Sequence, residues 1–453
     1  MASGLLRLFG MTDLFAARSQ MGVSLAFHIL FAVVGIGMPA LMVIAEHRWR
    51  RTGDAVYLEL AKRWSYGTAI LFAVGAVSGT VISFELGLLW PEFMHQAGAI
   101  IGMPFSLEGF AFFTEAIFLG IYLYGWDRIS ARAHVWAGAI VAFSGAMSGI
   151  FVVIANAWMN TPRGFTLVDG RFTNIDPIKA MMTPAAFPQT LHMTLAAYAA
   201  TGFAVAGIHA FMLLRDPRNA FHRHALTIAL LLGAPAALVQ PISGDISARY
   251  VAKQQPVKLA AMEAHFETMK GAPLHIGGIP SVSERRTKYA ITIPHGLSLL
   301  AFHEWNAEVK GLDAFPEDVW PDVTVVHLAF DVMVGLGTFL ALLSAAILIL
   351  RWRKRDIVSH RWLLTAIAIA GPMGFICIEA GWTVTEVGRQ PWVIYGILKT
   401  ADAVTPMPGL IVPFISFTLL YIFLGVIVAY LLYRQVLRSP RGTDEVLERV
   451  KSA

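Results

Sequence analysis

Cysteine is nearly absent: the chain of 453 residues has one, Cys377. A single thiol excludes an internal disulfide, and it excludes a covalently attached c-type haem, which requires C-x-x-C-H. Charge is scarce as well, with 14% of residues charged against 56% hydrophobic and a mean hydropathy of +0.61. Soluble domains carry about a quarter charged residues, so this composition excludes that class and points to a polytopic membrane protein. No repeat of fixed period and no low-complexity tract occurs, which removes solenoids and disordered linkers and leaves a single membrane domain over 1–453. A cleavable leader is not evident either. The opening MASGLLRLFGMTDLFAARSQ breaks its apolar residues with Arg7, Asp13 and Arg18 and reads as a short amphipathic helix lying on the outer surface.

What the chain has in abundance is apolar runs of the length needed to cross a bilayer. Nine are expected, at roughly 20–45, 65–89, 105–125, 135–158, 188–214, 225–244, 322–350, 362–386 and 408–433, so the fold class is an all-α integral membrane protein. The net charge of +5 does not imply nucleic acid, because the basic residues sit in alternate loops: Arg48, Arg50, Arg51, Lys62 and Arg63, then Arg128 and Arg132, then Arg215, Arg218 and Arg223. Arg351, Arg353, Lys354, Arg355 and Arg361 continue the series, and the tail adds Arg434, Arg438, Arg441, Arg449 and Lys451. By the positive-inside rule these segments are cytoplasmic, with the N-terminus outside (periplasmic) and the C-terminus inside. One connection is long. Residues 245–321 face outside in this topology, and their patch VKLAAMEAHFETM predicts helix rather than disorder.

Ionisable side chains inside spans are costly and by default functional. Here they are His28, Glu85, Glu108, Glu115, His192, His327, Asp331, Glu379 and Glu386. His28 lies ten residues inward of Arg18, and Glu379 ten residues before Arg389 on a span leaving to the outside. Each is therefore about 15 Å deep, at one level. An imidazole and a carboxylate at one level suit a metal centre or a pair of haem irons, although each alone is equally explained as a satisfied buried polar group. His192 and Met333 lie early in spans that start outside, and histidine with methionine is the ligand set of low-spin electron-transfer haems. Met333 by itself is more economically a gap filler, and His327 competes with it, six residues away and about 120° round the helix. Glu108 and Glu115 are seven apart and share one helical face, so with Ser144 and Ser148 of the next span they can relay protons. Glu85 sits near the outer end of its span, where solvation explains it as well as a role does.

These residues occur within recognisable stretches: ARSQMGVSLAFHILF, SLEGFAFFTEAIF with GWDR, ANAWMNTP, KLAAMEAHFET, the His192 and Met333 segments, and EAGWTVTEVGRQPW. Together, in order and over nearly the whole length, they resemble subunit I of cytochrome bd-type quinol oxidases. The resemblance implies a terminal quinol oxidase that takes electrons from membrane quinol near the periplasmic face and reduces O2 to water with cytoplasmic protons, without pumping. It makes His192 and Met333 the axial ligands of a low-spin haem b, and His28 and Glu379 ligands of two high-spin haems. The cofactors implied are two haem b and one haem d, with haem b in place of d in some members. Glu108 and Glu115 become the proton-delivering acids, and Lys258 and Glu263 become quinol-contacting residues of the long Q-loop, 245–321. Arg18 and Arg389 become partners of haem propionates. The resemblance also implies a second membrane subunit, in some members a small single-helix subunit, and residence in the bacterial cytoplasmic (inner) membrane. Three departures stand out: Leu86 where glutamine is usual, Asp331 where a basic residue is common, and Phe375 where tryptophan is frequent. The loop lacks the insertion of long-loop members, as in the short-loop, cyanide-insensitive-like subclass. The competing class is a haem-free, proton-coupled secondary transporter using Glu108, Glu115 and Glu379. It predicts inverted repeats with broken helices at matching positions, and no such pairing is found. A redox relay without oxygen chemistry would keep only the His192/Met333 haem.

Overall fold

The computed structural model describes residues 12–437, so the first eleven residues and the basic tail beyond 437 lie outside the described residues. Among those described, nine helices are long and apolar enough to cross a membrane: Asp13–Thr52, Ala55–Leu89, Pro91–Tyr124, Ala131–Asn160, Ala186–Arg215, Ala220–Gln254, Val323–Trp352, Arg361–Val387 and Ile411–Arg434. They are called the first to ninth spans below.

The ends of these helices follow local chemistry. Thr12 caps the first span by accepting from the Phe15 amide at 3.2 Å. The span stops at Gly53, whose φ of 70° lets its amide reach the Trp49 carbonyl at 2.8 Å. Asp54 then caps the second span through the Val56 amide, 2.9 Å away. Two residues thus turn the chain back into the membrane. Ser130, Asn219 and Asp322 cap the fourth, sixth and seventh spans in the same manner.

Two expectations about helix extent are corrected. The segment 13–19 is not a separate surface helix; it is the start of the first span, continuous through His28 to Thr52. The sixth span runs ten residues past 244 to Gln254, so the long connection starts later than 245. Pro372 interrupts the eighth span, dividing it into Arg361–Ala370 and Met373–Val387.

Lipid tails are as apolar as leucine, so helix association in a membrane relies on close packing more than on the hydrophobic effect. The fifth and sixth spans meet at Gly202 and Gly233, where a β-carbon on Gly202 would lie 2.4 Å from the Gly233 Cα. Gly207 and Gly371 bring the fifth and eighth spans together in the same way. The fifth span is the hub, packing on the first, fourth, sixth and eighth and burying Ala199, Phe203, Ala206, Ala210 and Leu213 in the largest core cluster. By contrast the second, third and ninth spans leave much apolar surface exposed, including Phe84, Phe110, Phe113, Ile422 and Phe423.

The long connection is folded, as its helical patch predicted, but the helix is shorter than expected. Of that patch Pro256–Met262 is helical and the chain turns at Ala264 with φ 46°, while a second helix, Gly296–Phe302, lies further along the connection. Antiparallel ribbons follow, pairing 274–276 with 291–293, 279–281 with 286–288, and 269–270 with 308–309. Val257, Ala260, Ala261, Met262, Phe266 and Leu312 pack against Val323 and Val326 of the seventh span and Val384 of the eighth. This core fixes the loop on the ends of the bundle.

Candidate functional site

The fifth span brings His192 beside the sixth, where its Nδ1 lies 2.9 Å from the Ser243 hydroxyl. That hydroxyl donates to the Gln240 carbonyl at 2.8 Å, so its hydrogen is committed and it accepts from His192 Nδ1–H. Nε2 is then the unprotonated nitrogen, and it accepts from the Gln240 side-chain amide, whose Nε2 lies 3.2 Å away. His28 repeats the arrangement: Nδ1 lies 3.0 Å from the Ser78 hydroxyl, which donates to the Val74 carbonyl at 2.9 Å. Both candidate ligands thus have one tautomer imposed by the neighbouring helix, which is how metal-binding imidazoles are oriented in general.

Met333 faces the eighth span where Gly381 has no side chain; a β-carbon there would be 3.0 Å from the Met333 sulfur. His327, its competitor, turns the other way. Its Nδ1 donates to the Met262 carbonyl of the loop at 2.7 Å, and its ring is buried there. His327 is thus tied to the loop through Nδ1, while Met333 lies against the eighth span.

Ile29, next to His28, and Ile378, next to Glu379, belong to one core cluster with Ala197 and Ala200. The neighbours of His28 and Glu379 thus pack into one core between the first, fifth and eighth spans. The imidazole, however, faces the second span at Ser78 and Gly79, and no hydrogen bond joins it to Glu379. The Glu379 Oε1 atom is buried with no partner.

Glu108 and Glu115 are positioned by the fourth span. Ser148 donates to Glu108 Oε1 at 3.1 Å. Glu115 is nearly fully buried beside Gly145, where a β-carbon would come within 3.2 Å of its Oε1. Ser144 does not join this pair as expected, because its hydroxyl donates to the Ile140 carbonyl of its own helix. Glu85 is also corrected. It is buried rather than solvated, accepting from Gln20 and Ser24 of the first span at 2.8 Å each, while Tyr421 of the ninth span donates to Ser24 at 3.1 Å. It clasps three spans together.

Lys258, at the start of the loop helix, is buried against the ends of the fourth and eighth spans. Its ammonium donates to Asn160 Oδ1 at 2.7 Å and to the Thr385 carbonyl at 3.3 Å. Burial, with the Arg389 charge adding to it and Glu386 opposing, pulls the amine down to about 7. Glu263 is buried five residues further on, and burial, reinforced by the Asp331 charge, pushes its carboxyl up to about 8. Asp331, the departure from the family pattern, thus acts on the loop.

Sequence reasoning gave no role to Glu386. The structure ties its carboxylate to Asn156 and to Arg389, and Asn160 Nδ2 in turn reaches Asn156 Oδ1 at 3.0 Å. Two asparagines spaced i, i+4 in the apolar run before Asn160 were the available signal. Glu386 is seven residues from Glu379 and shares its helical face, so that face carries two carboxylates about 10 Å apart along the axis. Arg389 is buried with its Nε and Nη1 lacking partners. Arg18 is exposed on the first span, and no ion pair joins it to Arg389.

These observations test the residues against haem. Unpartnered buried polar atoms cost about 1–3 kcal/mol each, and among those here are Glu379 Oε1, Glu115 Oε1, Gln240 Oε1, His327 Nε2 and two Arg389 guanidinium nitrogens. A metal cation and an acidic substituent are the natural complements of the Glu379 oxygen and the Arg389 nitrogens. Two imidazoles each held at Nδ1 by a serine, a thioether seated over a glycine, a carboxylate and a buried guanidinium fit haem irons and propionates.

Fold and donor set define a polytopic membrane protein suited to haem. Residues 16–440 match the family model for cytochrome bd terminal oxidase subunit I. The chain is 39% identical over 448 residues to a Bacillus subtilis (strain 168) protein provisionally named cytochrome bd menaquinol oxidase subunit I, covering 98% of this chain and all of that one. It is 31% identical over 441 residues to cytochrome bd ubiquinol oxidase subunit 1 of the same organism, covering 94% of each. Among solved structures, the bd oxidase of Geobacillus thermodenitrificans matches with a TM-score of 0.89 and 40% identity, over 94% of this chain and 99% of that one. The chain belongs to the cytochrome bd terminal oxidase subunit I family.

Proposed function

We propose that this chain oxidises quinol at its folded loop and holds the haems at which O2 is reduced, with distinct residues serving the two ends. Family membership makes it a subunit of a membrane-bound, haem-containing quinol oxidase that works with other subunits. The finer assignments are the following. His192 and Met333 hold a low-spin haem b. His28 and Glu379 hold one high-spin haem each, haem b and haem d, with haem b in place of d in the subclass this loop length resembles. Arg389 and Arg18 face propionates. When bound, these groups supply one-electron carriage and the iron at which oxygen is reduced.

The protein residues have proton work to do. Lys258 and Glu263 flank the loop helix, and with the amine near 7 and the carboxyl near 8 each can take up a proton from a quinol hydroxyl at mildly alkaline pH. The Asn160 carbonyl oxygen orients the lysine. Glu108, with Ser148, and Glu115 below it form a stripe that can pass protons inward from the cytoplasmic side. The topology has the N-terminus periplasmic and the C-terminus cytoplasmic in the inner membrane, with a second membrane subunit and a small single-helix subunit as partners.

The observation that carries this reading is the matched Nδ1–serine contact of His28 and His192, which orients both rings in the same manner from the neighbouring helix. Reduced-minus-oxidised spectra of the purified complex test it. His192→Ala is expected to remove the low-spin band while leaving the high-spin signals; an unchanged spectrum rejects His192 as a ligand.

A further inference from the structure

At the far end of the bundle from the loop, the first span presents one stripe that changes character along its axis. Val43 and Ile44 are apolar; one turn on stand His47 and Arg48, and another turn on Arg51. The spacings of three and four residues put all five on one face. Leu231 of the sixth span stands beside it, and together they line an open groove of about 450 Å³ whose surface is almost wholly apolar.

Its charge is uncompensated. Arg50, on a different face, is paired with Glu46 at 2.6 Å, and Asp54 is engaged by His224 at 3.2 Å. Among the described residues no carboxylate lies within ion-pair distance of Arg48 or Arg51. Below the cations the apolar wall continues outward along the sixth span, with Leu231, Leu238 and Ile242 exposed on it. From Leu231 to Ile242 this wall extends roughly 16 Å, a length comparable to an acyl chain. Cations that merely end a span and mark its orientation need neither a second wall nor an apolar floor.

We propose that this cleft binds one anionic phospholipid, with its phosphate against Arg48, Arg51 and His47 and an acyl chain along Val43, Ile44 and Leu231. Basic pockets between spans at a membrane surface recognise acidic headgroups in this manner. The site is remote from the loop and from the haem-ligand candidates, so it is independent of those assignments.

The test is native mass spectrometry of the delipidated holo-complex titrated with dioleoylphosphatidylglycerol, dioleoylphosphatidylcholine or glycerol 3-phosphate. The intact complex is expected to show one saturable phosphatidylglycerol adduct that phosphatidylcholine does not reproduce. In the double variant R48Q/R51Q this adduct should weaken about thirtyfold, at roughly fivefold per cation, with the haem spectrum unchanged. Leu231→Asn, which roughens the apolar wall and leaves the charges, should weaken it too. Equal affinity in wild type and double variant, equal binding of phosphatidylcholine, or displacement of the lipid by equimolar glycerol 3-phosphate would each overturn the proposal.

Discussion

Lys258→Met should make the loop helix more stable and the enzyme worse. The Lys258 ammonium is 3% exposed, and burial pulls its amine from an ordinary value of 10.5 to about 7. That difference corresponds to a cost on the order of 5 kcal/mol for keeping the charged form in the fold. The unfolded chain holds the proton up to its ordinary pKa, whereas the native state releases it near 7. Across the interval from about 7 to 10.5 the unfolded state therefore binds more protons, and stability rises with pH; below 7 the full cost is present. Methionine fills the same volume without the charge, and replacements of buried charges by apolar residues commonly gain about 1–4 kcal/mol. Asn160 Oδ1 keeps a contact with Gln255 at 3.3 Å. At pH 6, native-state hydrogen exchange of residues 256–262, corrected for intrinsic rates, should slow by about tenfold to several hundredfold, and the difference from wild type should shrink toward pH 10. Quinol KM should rise in the same variant. Faster exchange in Lys258→Met at pH 6 would mean that the ammonium stabilises the fold, and the account of a charge retained at a cost for substrate would be wrong.

Three further outcomes are expected. Ser243→Ala removes the acceptor that holds His192 Nδ1–H, so haem retention should fall about 10–100-fold in resistance to extraction, with the low-spin midpoint potential raised and both restored by threonine; unaltered retention and potential would reduce Ser243 to packing. Glu263 is protonated up to about 8 when folded and only to about 4.5 when unfolded, so its contribution to stability falls as pH rises through that window. Asp331→Asn should move the alkaline end of the window to lower pH in a thermal-melt series, and an unmoved profile would show that Asp331 does not act on it. Glu379→Gln should remove one high-spin haem signal and Glu386→Gln should leave all signals in place, because the level match with His28 belongs to Glu379. The reverse result, read by pyridine haemochrome analysis, would transfer the ligand role two turns outward.

What the sequence determined by itself was everything that depends on short-range periodicity and on the cost of placing polarity in lipid. Nine apolar runs dictated nine spans, because a backbone in hydrocarbon must satisfy its own hydrogen bonds. Half-buried His28, His192 and Glu379 and buried Glu115 were legible as exceptions to that rule, and counting residues from the span ends put His28 and Glu379 at one level. Tertiary structure decided which way each side chain faces and what stands opposite. Met333 packs over Gly381 of the eighth span, whereas His327 is held by the Met262 carbonyl of the loop. Ser78 and Ser243 acquired meaning only when helices fifty residues apart in sequence packed against their histidines. Glu85 proved to be a clasp, and Glu386 gained its partners from Asn156 and Arg389. The lipid cleft exists because Leu231 comes to stand beside a stripe nearly two hundred residues earlier. Periodicity within one helix specifies a face; which neighbour covers that face is set by long-range packing, to which local pattern is blind.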